Sequence, residues 1–167
     1  AICNLIGLKN LVIHGGGPQI KKKLEAQNIQ SKFILGLRVT DEKVIKIVED
    51  VLLNDINPDL VNTISSFNAV AEPVTARNKN GILKVTKAKN PNLGFVADPE
   101  EIDDEKLNSI INSNKVPVIA PMGLGDNNQV YNTNADTAAG TIAIKIKAER
   151  LLLMTDVPGV KDKKGSY

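Results

Sequence analysis

Apolar residues fall along this chain in two alternating patterns: short β-branched blocks bounded by glycine or proline, and longer stretches where they recur every three or four residues. The first pattern predicts buried strands and the second predicts amphipathic helices. Leu11-Val12-Ile13-His14 reads as a strand. Pro18 then opens a helix to about Asn28, with proline at the first helical position, where its missing N–H costs nothing. Gly36-Leu37-Arg38-Val39-Thr40-Asp41 is a loop leading into a helix that Thr40 caps and that runs to about Leu53, with Val44, Ile45, Val48, Val51 and Leu52 as its stripe. A second helix follows from Pro58, capped by Asn57, with Leu60, Val61, Ile64 and Phe67 as its apolar face.

Residues 70–90 change character. Pro73 interrupts, Asn78-Lys79-Asn80-Gly81 is a turn, and Ile82 to Ala88 reads as a strand, so the segment is expected to form a β-hairpin appendage. Leu93–Ala97 is a further short strand, Asp103–Asn112 a helix, and Val116–Ala120 a buried strand followed by a turn over Gly123–Asn128. A small, apolar helix runs from Thr137 to Glu149. Leu151-Leu152-Leu153-Met154-Thr155 is the near-continuous apolar run of a central parallel strand, with a Gly/Pro turn beyond it at Asp156–Val160. Strands alternating with helices predict an α/β fold with an open, mainly parallel sheet that offers ligands its carboxyl edge.

Composition narrows the class. At 167 residues, 42% apolar and 24% charged, the chain suits one domain with a substantial core. A net charge of +2, with three Phe, two Tyr and no Trp, argues against a nucleic-acid partner. One cysteine, Cys3, excludes an internal disulfide framework, fits a reducing compartment and reads as a small buried hydrophobe. No apolar run reaches the roughly 18 residues of a membrane span, and Ala1–Leu8 lacks the basic leader of a signal peptide, so a soluble, cytoplasmic protein is expected. The chain begins at Ala, without an initiator Met, and both ends are expected to be missing.

Candidate chemistry clusters at three places. Gly15-Gly16-Gly17 sits between the first strand and the helix opened by Pro18, where bare backbone N–H groups and a helix N-terminus meet an anion. The tripeptide is neither a Walker A loop nor a spaced G-x-G-x-x-G, and three consecutive glycines exceed what a tight turn requires, so close ligand approach is favoured. His14, the only histidine, ends an apolar strand and reads as a packed, hydrogen-bonded residue. Arg38 precedes a helix start, and its planar fork suits a carboxylate. Asn132, Asn134 and Asp136 stand at two-residue intervals; on an extended backbone they project to one side. Asn134 or Asp136 is also a natural N-cap for the helix that follows.

Taken together, His14-Gly-Gly-Gly-Pro-Gln-Ile, Gly36-Leu-Arg-Val-Thr-Asp, Val116-Pro-Val-Ile-Ala-Pro, Tyr131-Asn-Thr-Asn-Ala-Asp-Thr-Ala-Ala-Gly and Leu153-Met-Thr-Asp-Val-Pro-Gly-Val resemble, in order and spacing, the amino-acid kinase family and within it the acetylglutamate kinases. The resemblance implies a three-layer αβα sandwich of the carbamate kinase-like kind, of which residues 1–167 are the central part of a single domain, truncated at both ends. It implies phosphoryl transfer from ATP to the side-chain carboxylate of N-acetyl-L-glutamate, on the route to arginine. Such a transfer asks the protein mainly to position two anions in line and neutralise developing charge.

On that resemblance Gly16 and Gly17 offer N–H groups near the transferring phosphoryl group and substrate, and Gly15 borders the nucleotide. Leu37 and Arg38 meet the substrate, with Arg38 on its α-carboxylate; Asn132 holds the substrate and Asn134 lines the same pocket. Asp136 orients lysines rather than acting as a base, because a carboxylate substrate is already ionised. Asp156, Val157, Gly159, Val160 and Lys161 match the nucleotide-binding turn, and Mg²⁺ accompanies ATP without a dedicated protein cage. A homo-oligomer is expected, with arginine feedback or a nitrogen-signalling protein as partners of the full-length enzyme.

The family's Lys-x-Gly-Gly strand would precede Ala1 and its second phosphate-contacting Lys would follow Tyr167, so this fragment is expected to have little kinase activity. Residues 68–78 also depart from the family pattern, with Pro73 in place of a glycine. That region borders the substrate pocket, which leaves two alternatives open: a non-catalytic domain binding arginine or substrate, and a sister kinase for a related acidic amino acid such as an aminoadipate derivative.

Overall fold

The computed structural model describes residues 3, 6–77, 81–155 and 165. Its central sheet is open, parallel and three-stranded, in the order β1 (Val12–Ile13), β7 (Val116–Ile119), β4 (Ala71–Val74). Val12 lies opposite Val118, which in turn lies opposite Pro73. All four residues of β7 are buried, as expected of a central parallel strand covered on both faces.

Two hydrophobic clusters flank this sheet. One joins Ile20 and Leu24 of helix α1 (Gly17–Ala26) to Val44, Ile45, Val48, Val51 and Leu52 of the following helix; the other joins Leu107 and Ile110 of α4 (Asp104–Asn112) to Ala138 and Ile142 of α5 (Ala135–Lys145).

A second, mixed sheet takes the order β6 (Ala97–Ile102), β5 (Leu83–Lys87), β8 (Met122–Leu124), β9 (Val130–Asn132). Strands β2 (Phe33–Ile34) and β3 (Leu37–Arg38) form a small antiparallel ribbon. The expected hairpin over residues 70–90 is therefore corrected: β4 joins the parallel sheet beside β7, while β5 pairs with β6 and β8. Pro73 misleads because it sits in an edge strand of the described sheet, where proline's missing donor is tolerated. Likewise Leu93 closes a 3₁₀ turn (Pro91–Leu93), and the strand begins only at Ala97.

The two helices expected after residue 40 are one continuous helix. Helix α2 (Glu42–Asp50) passes through a π-helical run (Val51–Ile56) into α3 (Asn57–Ser66). The Asn57 N–H reaches back five residues to the Leu52 carbonyl, so Asn57 is a helical residue rather than a cap. The N-cap of α2 is Asp41, whose carboxylate accepts from the Lys43 and Val44 N–H groups. Thr40 is wholly buried, and its hydroxyl donates to the Arg38 carbonyl instead.

Three apolar expectations also change. Cys3 is exposed. Phe67 is 64% exposed, at the end of an α3 face in which only Asn57 is buried. Leu151–Thr155 forms no strand, and Met154 is 96% exposed. An extended segment becomes a strand only beside a partner ladder, and no ladder among the described residues includes this segment. No helix among the described residues is long and apolar enough to cross a membrane.

Candidate active site

The glycine turn lies at the carboxyl end of β1. His14 N–H donates to the Ile119 carbonyl at the end of β7, which fixes where the turn begins. Gly16 is the N-cap of α1; it supplies no side-chain cap, and Pro18 follows in the first turn. The opening N–H groups of the helix thus lack intrahelical acceptors and form the positive end of its dipole.

None of the three glycines has the positive φ that glycine alone adopts readily. Their absence of side chain matters through space. A Cβ on Gly16 would meet Leu52 Cδ2 at 2.6 Å and Ile56 Cδ1 at 2.8 Å, whereas Cβ atoms on Gly15 or Gly17 would meet nothing within 4 Å. Gly16 is small because the π-helical run packs against it, and the flanking glycines leave open room above.

Arg38 is drawn under this turn. It is 8% exposed. Its Nη2 donates to the Gly17 carbonyl at 3.3 Å and its Nη1 to Ser31 Oγ at 2.5 Å, while the guanidinium carbon stacks 4.8 Å from the Phe33 ring centroid. Burial holds its pKa below the ordinary arginine value. Among the described residues no carboxylate forms an ion pair with it. Leu37 precedes it in β3 and is half-buried. Arg38 was expected in a loop; the two-residue ribbon with β2 instead holds it in place.

From Arg38 the contacts run to the Asn/Asp motif. Phe95 N–H donates to the Thr40 carbonyl, Asn132 N–H donates to the Phe95 carbonyl, and Asn132 Nδ2 lies 3.5 Å from Thr40 Oγ1. Thr133 donates through both its N–H and its hydroxyl to the Pro121 carbonyl, just past the end of β7. These bonds anchor the motif at the same sheet edge as the glycine turn.

Asn134 is the N-cap of α5, its Oδ1 accepting from the Thr137 N–H at 2.9 Å and the Thr137 hydroxyl at 3.2 Å. Of the two candidate caps, Asn134 takes the role. Asp136 lies exposed in the first helical turn, so the two-residue alternation extends from Asn132 to Asn134 and stops where the backbone becomes helical. The structure therefore links Gly17, Arg38 and Asn132 through a chain of contacts and sets Asn134 beside them. Asp156, Val157, Gly159, Val160 and Lys161 lie outside the described residues.

Sequence reasoning missed Ser31, Phe33 and Thr40, whose roles come from long-range contacts that leave no local pattern. It also missed that Asn57, read as a cap, is a buried helical residue bonded to His14 and the Val118 carbonyl. Two shallow surface hollows exist elsewhere, one beside Glu100, Thr141 and Lys145, the other beside Glu72, Ser113 and Lys115. Neither includes a residue of this site. Among the described residues no group of three acidic, histidine or cysteine side chains converges as a metal site.

A parallel α/β sheet whose carboxyl edge gathers a bare glycine turn, a helix N-terminus and a buried arginine places the chain in the open-sheet α/β class. More narrowly, the chain belongs to the amino acid kinase family, whose model matches residues 2–167. Acetylglutamate kinase from Pelagibacter ubique (strain HTCC1062) is 48% identical over 157 residues, covering 94% of this chain and 54% of its own length. Acetylglutamate kinase from Gluconobacter oxydans (strain 621H) is 40% identical over 177 residues, with 99% and 60% covered. The chain spans a little over half the length of these curated relatives.

Among solved structures, smu.665 from Streptococcus mutans UA159 superposes with a TM-score of 0.89 at 26% identity, over 96% of this chain and 65% of that one. The N-acetylglutamate synthase of Neisseria gonorrhoeae complexed with coenzyme A and L-arginine shares the fold, with a TM-score of 0.68 at 19% identity, over 99% of this chain and 40% of that one.

Proposed function

We propose that residues 1–167 are the substrate-binding and phosphate-facing middle of an enzyme that transfers a phosphoryl group from ATP to the side-chain carboxylate of N-acetyl-L-glutamate. The observation that carries this reading is Arg38: a buried guanidinium at the sheet's carboxyl edge, hydrogen-bonded to the glycine turn and without a carboxylate among the described residues. An acidic substrate supplies the missing counter-charge. The relatives named acetylglutamate kinase support N-acetylglutamate as that acid.

In this assignment Arg38, with Leu37 beside it, takes the α-carboxylate, Asn132 holds the acyl amino acid, and Asn134 lines the pocket while capping α5. The N–H groups of Gly16 and Gly17 face the transferring phosphoryl group, and Gly15 borders the nucleotide. The open space over Gly15 and Gly17 fits close approach by phosphate oxygens. The attacking carboxylate is already ionised, so no general base is required. Asp136 orients lysines that neutralise phosphate charge.

Residues 156–161 take the nucleotide. Magnesium, bound with ATP, would neutralise phosphate charge and rest mainly on phosphate oxygens and water. The complete protein is assigned as a homo-oligomer, regulated by arginine or by a signalling protein.

A competing reading follows from Pro73 in β4 and the altered segment around it: a sister enzyme for another acidic amino acid, or a domain that binds without phosphorylating. Calorimetry and ATP turnover on the complete protein separate these. Acetylglutamate binding with turnover is expected, and Arg38→Ala should weaken that binding by about 2 kcal/mol or more. Unchanged affinity removes Arg38 from the substrate site; binding without turnover of any acidic acyl amino acid overturns the kinase assignment.

A further inference from the structure

Beneath the glycine turn lies a buried polar chain with no part in the contacts so far assigned. His14 is 7% exposed and Asn57 is fully buried. His14 Nδ1 lies 2.9 Å from the Gly15 carbonyl oxygen, its Nε2 lies 3.1 Å from Asn57 Nδ2, and Asn57 Nδ2 also donates to the Val118 carbonyl at 2.9 Å.

Only one proton arrangement satisfies all three contacts. A carbonyl accepts only, so Nδ1 must carry hydrogen to bond Gly15. Nε2 must then accept, which matches an amide nitrogen opposite it. Turning the Asn57 amide over would set its oxygen against the Val118 oxygen, acceptor to acceptor, so Val118 fixes the amide orientation. The cost is visible: Asn57 Oδ1 is buried without a hydrogen-bond partner. Burial also lowers the His14 pKa, which keeps the ring neutral, as the arrangement requires.

The π-helical run is what delivers Asn57 here. The Asn57 N–H bonds to the Leu52 carbonyl five residues back, a wide turn that rotates the helix face relative to a regular α-helix. The same run places Leu52 and Ile56 where a Gly16 Cβ would stand. One helical irregularity thus touches both sides of the turn, through packing at Gly16 and through hydrogen bonds at His14.

We propose that Asn57 is a positioning residue that locks His14 in its Nδ1–H tautomer, so that the Gly15 carbonyl is held down and the N–H groups of Gly15–Gly17 are aimed at the phosphoryl group. The functional half of this inference rests on the kinase reading; the structural half does not.

The test uses the complete protein labelled with ¹⁵N, with the His14 signals assigned by their loss in His14→Phe. At neutral pH, wild type should show a protonated Nδ1 and an unprotonated Nε2. Asn57→Asp places an acceptor opposite Nε2 and should favour the Nε2–H tautomer, in which Nδ1 loses its hydrogen and its bond to the Gly15 carbonyl, so the amide signals of Gly15–Gly17 should shift. An Nε2-protonated ring in wild type, or glycine signals unmoved in both variants, overturns the proposal whatever the enzyme's activity.

Given acetylglutamate turnover, kcat should fall about ten- to a hundred-fold in Asn57→Asp, and KM for acetylglutamate should change less than kcat, since the turn reaches Arg38 only through the Gly17 carbonyl while Ser31 and Phe33 hold it independently. His14→Phe keeps the ring's bulk, removes the bond to Gly15 and should lower kcat likewise, so the inference stays testable if Asn57→Asp fails to fold. A shifted glycine turn with unchanged kcat in a turning-over enzyme overturns the positioning role alone.

Discussion

Replacing each glycine of the turn by alanine separates packing from ligand approach. None of the three has positive φ, so alanine meets no left-handed backbone penalty at any of them. At Gly16 the new methyl would stand 2.6 Å from Leu52 Cδ2 and 2.8 Å from Ile56 Cδ1, well inside contact distance. Both are side-chain tips, which lowers the cost; Leu52 is only 1% exposed and has little room to swing, which raises it. Overpacking of this kind costs about 1–3 kcal/mol, and one adjustable methyl belongs in the lower half of that range. At Gly15 and Gly17 the methyl meets open space, and alanine should stabilise by roughly 0.4–1 kcal/mol through loss of unfolded-state freedom. Chemical denaturation of the complete protein should therefore order the variants with Gly16→Ala lowest and the other two at or above wild type. Nucleotide binding should fall in Gly15→Ala and Gly17→Ala despite their stability. Equal destabilisation at all three positions would refute the division of roles.

Two further outcomes follow from the same contacts. Asp41→Ala should lower stability by about 1 kcal/mol through loss of the α2 cap, whereas Thr40→Val should act by leaving the Arg38 carbonyl without its donor; thermal melts of the pair, with acetylglutamate affinity reduced only in Thr40→Val, check this. Burial lowers the His14 pKa from 6.5 in the folded state, so between that lowered value and 6.5 the unfolded chain binds a proton that the folded chain does not. The contribution of neutral His14 is complete above about pH 6.5 and declines as pH falls through the window. Unfolding free energy measured from pH 8 to pH 5 should show a steeper acid loss in wild type than in His14→Phe, and parallel curves would exclude the effect.

The parts legible in the sequence were those with a local cause. The glycine turn after β1, the proline-opened α1, the buried β7 and the Asn134 cap each follow from a few adjacent residues. The helix from residue 42 was legible in its apolar stripe, but the π-helical run was not, because the register change depends on where Asn57 finds partners, and those lie 43 and 61 residues away in sequence. Edge position is likewise a property of the assembled sheet, so Pro73 read as a break. Leu151–Thr155 carries a strand's composition and forms none, since pairing needs a neighbour that composition cannot supply. At the site, Arg38 stood out from its position before a helix start, yet its burial came from Phe33, Ser31 and the Gly17 carbonyl, none of which announces itself.

That burial sets up a last discrimination. A guanidinium taken out of water without an ionised partner loses hydration that two hydrogen bonds and one aromatic face restore only in part. If Arg38 were there for stability, removing its charge while keeping its stem would weaken the fold. If it is there for a carboxylate ligand, the charge is a cost to the unliganded protein, and Arg38→Met should be neutral or stabilising by up to about 1–2 kcal/mol. Arg38→Ala, which also empties the space under the ribbon, should be less stable than Arg38→Met by about 1 kcal/mol or more. Unfolding of the unliganded complete protein reads both. Saturating acetylglutamate should then stabilise the wild type by about 2 kcal/mol more than either variant, because a ligand stabilises only the state that binds it and does so in proportion to its affinity there. An Arg38→Met protein destabilised as far as Arg38→Ala, or one stabilised by acetylglutamate as much as wild type, would make the guanidinium a structural strut and place the substrate's carboxylate elsewhere.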